Sequence, residues 1–110
     1  MTMTAIDFNK ELFEKHVNDH NKPVLVDFWA PWCVYCRRIA PALNILADQY
    51  KDVLVIGKVN IDDEQELALQ EQIEVIPTLI IYQGGKILAS IVAPESKAQL
   101  EAFIKEALKL

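Results

Sequence analysis

The sequence contains few of the side chains from which metal sites are built: two cysteines and two histidines among 110 residues. A closed zinc site needs four ligands from cysteine, histidine or carboxylate side chains. His16 and His20 lie together in or just after the first predicted helix, whereas the cysteines, Cys33 and Cys36, form a separate pair. The composition therefore argues against a metal site, and we interpret both histidines as surface residues.

Long apolar runs and clusters of one charge are also missing. Hydrophobic residues make up 52% of the chain, but a lysine or an acidic residue interrupts every apolar stretch. None reaches the roughly 18 residues that a membrane span requires. With 11 basic and 16 acidic residues, the net charge is -5, and no basic cluster is present that would bind phosphates. We therefore expect neither a membrane nor a nucleic acid as a partner.

The sequence shows no sign of targeting or of division into parts. Residues 1–17 lack the basic start and apolar block of a signal peptide, which favours a reducing cytoplasmic location. There is no internal repeat and no linker rich in proline, glycine or serine. We expect residues 1–110 to form one domain and to act as a monomer.

Helix and strand patterns alternate along the chain. Apolar residues at helical spacing predict helices over residues 8–17, 36–50 and 63–72, and a final helix that begins at Ser96. Apolar runs predict buried strands over residues 23–30 and 52–62, and a hairpin with strands 78–82 and 86–93 around Gly84 and Gly85. Ser96 and Gln99 together form a capping-box signal. The order α-β-α-β-α-β-β-α is typical of an α/β fold.

The stretch APWCVYCRR places Cys33 and Cys36 between a predicted strand and the long helix. Four interpretations compete: half of a zinc site, a structural disulfide, a redox-active dithiol and a chance pairing in the core. A disulfide closing two intervening residues adds little stability, because it restricts the unfolded chain only slightly. The free N–H groups and positive end of a helix stabilise a thiolate at Cys33. We therefore favour a dithiol in which Cys33 attacks and the shielded Cys36 resolves the mixed disulfide.

The segment VDFWAPWCVYC, followed in order by KVNID, VIPT and GGK, resembles the thioredoxin family over nearly the whole chain. The resemblance implies a thioredoxin fold, a central mixed β-sheet flanked by helices. It also implies protein disulfides as substrates, no bound cofactor, and recharging by an NADPH-dependent thioredoxin reductase. Only the short segment TAI is left for the family's first strand, so we expect that strand to be short or absent.

Two charged residues, Asp27 and Lys58, interrupt otherwise apolar strands. Exposed positions at a sheet edge would explain them, but opposite charges in buried strands suggest a pair, because an unpaired buried charge is costly. The resemblance implies that both lie beneath the disulfide and move protons to and from Cys36. We expect burial to raise the pKa of Asp27, so that it acts as a general base.

Three further residues are expected around the cysteines. Pro77 precedes a predicted strand, where a proline that merely starts the strand is a sufficient explanation. The resemblance instead implies a cis proline that faces the sulfurs and leaves Ile76 free to pair with an extended substrate. Trp32, next to Cys33, is expected on an apolar docking surface, and Trp29 is expected to pack beneath the loop.

Four residues depart from the usual thioredoxin pattern. Val34 and Tyr35 replace the Gly-Pro that usually separates the cysteines. Proline has no N–H, so we expect that of Tyr35 to point at the Cys33 sulfur, which predicts a less reducing protein. A neutral replacement is the alternative. Val75 and Val92 stand where glycine is often found, which predicts a narrower, more apolar groove with fewer protein partners.

Three functions remain open from the sequence. The first, which we favour, is a thiol-disulfide oxidoreductase that reduces protein disulfides through Cys33 and Cys36. The second is a protein-thiol oxidant or disulfide isomerase of higher potential that uses the same residues. The third is a non-catalytic binding module, which would keep its function after both cysteines were replaced by serine.

Overall fold

A computed structural model describes residues 2–110 of the protein. These residues form five strands and four helices, in the order β1 (Ile6–Asp7), α1 (Lys10–Val17), β2 (Val24–Trp29), α2 (Val34–Gln49), β3 (Val55–Asn60), α3 (Gln65–Gln70), β4 (Thr78–Gln83), β5 (Lys86–Val92) and α4 (Lys97–Leu108). The predicted order is confirmed, with a two-residue strand added in front. The first strand is therefore short rather than absent.

The strands form one mixed sheet in the order β1-β3-β2-β4-β5. Strands β1 and β2 run parallel to β3, whereas β4 is antiparallel to both β2 and β5. The hairpin between β4 and β5 turns at Gly84 and Gly85, whose φ angles of 58° and 80° favour glycine. The central mixed sheet of a thioredoxin fold is thus confirmed, and β2 lies at its centre.

Alternation along β2 distributes its side chains between two cores. Val26 and Phe28 belong to the core beneath α1 and α3, while Leu25 belongs to the core beneath α2 and α4. Because successive side chains of a strand point to opposite faces, Asp27 lies on the Leu25 side. The central carboxylate therefore faces the layer that contains α2, the helix on which Cys36 lies.

Side chains cap three of the helices. Asn9 accepts a hydrogen bond from Leu12 N at 2.9 Å at the start of α1. At the start of α4, Ser96 Oγ accepts from Gln99 N at 3.0 Å, while Gln99 Oε1 accepts from Glu95 N rather than from Ser96 N. The predicted capping box is therefore present, except that the Gln99 side chain accepts from the residue before the N-cap. The third cap is Cys33, at the start of α2.

The expectation that His16 lies at the surface is met only in part. Its ring is half-buried and stacks on Phe8, with 5.0 Å between the ring centroids. Burial, assisted by the charge of Lys15, lowers the pKa of His16 below its ordinary value. His20 is exposed, as expected.

Phe8 also packs closely over Gly57 of β3, where an added Cβ would overlap the Phe8 ring. Overpacking a close contact costs about 1–3 kcal/mol, because side chains or backbone must move. We therefore expect Gly57→Ala to lower the free energy of unfolding by that amount, measured by urea denaturation. Introducing Gly57→Ala into a Phe8→Leu background should cost less, since the ring is gone. An equal cost in both backgrounds would contradict this explanation.

Candidate active site

The two cysteines form a disulfide at the start of α2, with their Cα atoms 5.3 Å apart. Cys33 is the N-cap residue, and Cys36 lies within the first turn of the helix. Cys33 is 7% exposed and Cys36 2% exposed. The predicted shielding of Cys36 is confirmed. Cys33 is the more accessible of the two but is itself largely covered.

The hydrogen bond to the Cys33 sulfur comes from Cys36 N, at 3.2 Å. This is ordinary helix capping, in which the side chain of the N-cap residue accepts from the third helical N–H. The prediction that Tyr35 N–H supplies this bond was wrong. The Cys36 N–H is present whatever residues separate the cysteines, so in the disulfide form the replacement of proline by Tyr35 adds no donor to this sulfur.

The segment before β4 approaches the disulfide from the other side. The Ile76–Pro77 peptide bond is cis, as the resemblance implied, and Pro77 is buried. The carbonyl oxygen of Ile76 lies 3.9 Å from Cys33 Sγ. Thr78 Oγ1 donates a hydrogen bond to the carbonyl of Val75 and so holds the segment folded. Within residues 2–110, the main chain of Ile76 forms no hydrogen bond to another backbone group.

Exposed apolar side chains lie on both sides of the disulfide. Their exposed fractions range from 48% to 65%, and they are Trp32, Val34, Tyr35, Val75 and Val92. Trp32 Nε1 donates to a carboxylate oxygen of Asp62 at 3.1 Å, which fixes the ring beside Cys33. We call this set of five residues the apolar collar. Several exposed apolar side chains around a reactive group are what an interaction site would present.

The comparison of Val92 with a glycine position needs correction. Val92 is the last residue of β5 and pairs with Thr78, so it adopts ordinary strand geometry. The next residue, Ala93, has a φ of 46°, in the left-handed region that favours glycine. Ala93 N donates to the carbonyl of Pro77 at 2.9 Å, which ties this turn to the cis proline. The position that calls for glycine is therefore Ala93.

Asp27 is completely buried in β2. Within the described residues, neither of its carboxylate oxygens has a hydrogen-bond partner. Burial raises the pKa of Asp27 to about 7, and the charge of Lys58 opposes the rise. The predicted direction of the shift is confirmed. A carboxyl with this pKa exchanges protons near neutral pH.

Lys58 lies beside Asp27 in the register of β2 and β3, as a pair of opposite charges would require. Its Nζ nevertheless sits 4.2 Å from the centroid of the Trp29 ring. Among residues 2–110 the only ion pair within 4 Å is Lys97–Glu101, so the expected direct pair with Asp27 is absent. The ammonium prefers the aromatic face at this position.

Trp29 connects these charges to the sulfurs. It packs against the small cluster formed by Ala30, Cys33 and Cys36, as expected for a residue beneath the loop. Lys58 covers its ring, and Lys58 is the register neighbour of Asp27. Lys58 is therefore linked to the cysteine cluster through the Trp29 ring, and Asp27 lies next to Lys58 in the sheet.

Sequence reasoning missed two neighbours of the collar. Asp62, the partner of Trp32, belongs to the turn after β3. Arg38 places its guanidinium carbon 5.3 Å from the centroid of the Tyr35 ring. The three-residue spacing of Tyr35 and Arg38 on a helix was a usable signal. The contact with Asp62 spans 30 residues, and no local pattern indicates it.

The helices and the metal-ligating side chains of the described residues bear on two further expectations. None of these helices is long and apolar enough to cross a membrane. No group of three or more histidine, cysteine or acidic residues in residues 2–110 is placed to hold a metal ion.

A disulfide at the start of a helix, next to a cis proline on a mixed sheet, defines a protein that exchanges dithiols and disulfides. The thioredoxin family model matches residues 4–106. Similar proteins include thioredoxins of Acidithiobacillus ferridurans, 48% identical over 98% of this chain and 100% of the relative, and of Alicyclobacillus acidocaldarius, 40% identical over 98% and 99%. The bifunctional thioredoxin reductase/thioredoxin of Mycobacterium leprae is 40% identical over 87% of this chain and 21% of the relative.

The chain belongs to the thioredoxin family. It is a thiol-disulfide oxidoreductase, and its redox-active group is the Cys33–Cys36 pair.

Proposed function

We propose that the protein works as a reductase of protein disulfides. The direction is proposed from the family, since the similar proteins are thioredoxins. The observation that supports Cys33 as the attacking residue is its position: it is the more accessible sulfur and lies 3.9 Å from the Ile76 carbonyl, while Cys36 is buried. The Cys33 thiolate attacks one substrate sulfur and releases the other as a thiol. The Cys36 thiolate then attacks Cys33 Sγ, closes the internal disulfide and releases the second substrate thiol. Two electrons and two protons pass to the substrate.

Asp27 and Lys58 are proposed to move the protons. Cys36 must lose its proton before it resolves the mixed disulfide, and a buried carboxylate with a pKa of about 7 is suited to accept it. The charge of Lys58 favours the ionised form of Asp27, because it lowers the carboxyl pKa. Exchange with solvent is proposed to follow the polar groove lined by Lys58, Asn60 and Asp63.

Substrate binding is proposed to combine backbone pairing with apolar contact. The unpaired main chain of Ile76 is available to pair with an extended segment of substrate, as in strand addition. Pro77 fixes that segment opposite the sulfurs, and the apolar collar covers the flanking substrate residues. A collar with Val75 and Val92 exposed favours apolar residues beside the target cysteine.

We propose that an NADPH-dependent thioredoxin reductase reduces the Cys33–Cys36 disulfide back to the dithiol, and that this takes place in the cytoplasm. We also propose that the protein acts as a monomer, with residues 1–110 forming one domain. The Mycobacterium leprae relative, whose name joins a thioredoxin reductase to a thioredoxin, supports the choice of reductase. A reducing compartment agrees with a cycle in which the dithiol form is the reactant.

The test is NADPH oxidation by a bacterial thioredoxin reductase in the presence of the protein and a disulfide-containing substrate protein. The wild type should sustain turnover, and Cys33→Ser should not. Turnover that requires glutathione instead of the reductase would overturn the proposed donor. Binding of substrate without turnover would support the non-catalytic module.

We expect Val34 and Tyr35 to affect which substrate proteins bind rather than the reduction potential of the cysteine pair. Changing Val34-Tyr35 to Gly-Pro keeps the Cys36 N–H bond to Cys33 Sγ, so we expect the reduction potential to move by less than about 30 mV, which corresponds to about 1.4 kcal/mol. Equilibration with redox buffers measures it. A larger move to more negative potential would mean that Tyr35 N–H stabilises the thiolate after all.

A further inference from the structure

A groove of about 490 Å³ lies beside the redox site. One wall is the face of α2 that carries Tyr35 and Arg38, and the other is the turn and helix start from Ala93 to Lys97. We call it the Arg38 groove. Pro94 is buried at its base, so this wall is anchored in the fold.

The Arg38 groove is continuous with the disulfide. Tyr35, on its rim, lies between the two cysteines in the chain. Ala93, on the opposite wall, donates its N–H to the carbonyl of Pro77, which follows Ile76 and its contact with Cys33. A polypeptide whose cysteine sits against Cys33 and whose backbone pairs with Ile76 therefore passes close to this groove.

Among residues 2–110, the positive charge of Arg38 in the groove is not paired with a carboxylate. Its side chain is exposed, and its guanidinium lies over the Tyr35 ring. Stacking on an aromatic face leaves the N–H donors at the edge of the guanidinium available for another group. Within residues 2–110, no carboxylate lies within 4 Å of Arg38, and its side chain forms no hydrogen bond.

Of the charged residues that line the groove, Arg38 is the one available to bind an anionic group. Lys97 is already paired with Glu101, at 3.4 Å. Glu95 is the one acidic residue in the lining, and it forms no ion pair with Arg38, so within residues 2–110 Arg38 is the cation of the lining that has no carboxylate partner. A fixed guanidinium matches a carboxylate in charge and in geometry.

We propose that Arg38 is a specificity-determining residue that binds a carboxylate of the substrate, an Asp or Glu close to the cysteine that Cys33 attacks. The proposal rests on the proposed reductase function and names the substrate class that this site prefers. Tyr35 holds the guanidinium in place, which gives the unusual residue between the cysteines a positioning role. Substrate segments that combine an apolar residue with an acidic one fit the apolar collar and the Arg38 groove together.

The test uses synthetic peptides with one internal disulfide and a single variable residue, Glu, Gln or Lys, placed in turn at positions flanking the attacked cysteine. Second-order rate constants are measured with the reduced protein. At the best position, the wild type should reduce the Glu peptide on the order of tenfold faster than the Gln peptide, the scale of a charge-assisted hydrogen bond. Arg38→Gln should remove this preference, and Arg38→Glu should reverse it toward the Lys peptide.

Arg37→Gln is the matched control. Arg37 is exposed and adjacent in sequence, so its loss changes the net charge equally, but it is not among the residues that line the groove. The control should keep the Glu preference. Equal loss of preference in the two variants, or no preference in the wild type, would overturn the role of Arg38. A wild type that reduces none of the peptides, the Gln peptide included, would overturn the reductase function itself.

Discussion

Replacing Cys36 by serine should arrest the protein as a covalent complex with its substrate. Cys33 is left free to attack, but serine cannot displace the substrate sulfur, so the mixed disulfide persists. Multiple turnover should fall to the rate of uncatalysed exchange. Non-reducing electrophoresis and intact-mass measurement should detect a one-to-one adduct that a small thiol releases.

The matched variant is Cys33→Ser, which should lose turnover equally but accumulate no adduct. The difference follows from exposure, since Cys36 is only 2% exposed and is covered by its neighbours. An adduct that forms as readily through Cys36 in the Cys33→Ser variant would reverse the assignment of attacking and resolving residues. A double serine variant that still binds its partner and retains full biological activity would instead favour a binding module.

The second large effect concerns stability and pH, and it comes from Asp27. Its pKa is raised to about 7 in the folded protein, against 3.8 for the unperturbed side chain. Between these values the folded state binds more protons than the unfolded state, so stability falls as pH rises through this window and levels off above it. The difference between these two pKa values corresponds to about 4 kcal/mol of stability. We expect Asp27→Asn to remove this loss.

Urea unfolding of the oxidised protein at intervals from pH 4 to pH 8 measures the effect. The wild type should lose stability across the range relative to Asp27→Asn, with the two curves diverging as the carboxyl ionises. Asp52→Asn, at an exposed position, is the control and should follow the wild type. Parallel curves for the wild type and Asp27→Asn would mean that Asp27 does not titrate in this window.

Much of the fold follows from local pattern. The apolar runs over residues 23–30 and 52–62 contain β2 and β3, and the glycine pair marks the turn between β4 and β5. These predictions succeed because a buried strand and a tight reversal each need particular residues within a few positions. The position of the cysteine pair at the start of a helix could also be predicted, because the pair lies between an apolar strand pattern and a helical one.

The failures concern contacts that depend on three-dimensional placement. Asp27 and Lys58 were recognisable as unusual charges, but only the structure places the ammonium over Trp29 rather than on the carboxylate. The left-handed backbone at Ala93 depends on the turn that ties β5 to the cis-proline segment. The donor to Cys33 was misassigned because Tyr35 and Cys36 are neighbours in the first helical turn, and only the structure shows which of their N–H groups points at the sulfur.

The most direct test of the reductase account is the reduction potential of the Cys33–Cys36 pair, measured by equilibrating the purified protein with defined redox buffers and counting free thiols. Because the hydrogen bond to Cys33 comes from Cys36 N–H, we expect a value near the roughly -270 mV of thioredoxin. A value near the roughly -180 mV of protein disulfide isomerase would contradict the account and would identify the protein as an oxidant or isomerase of protein thiols.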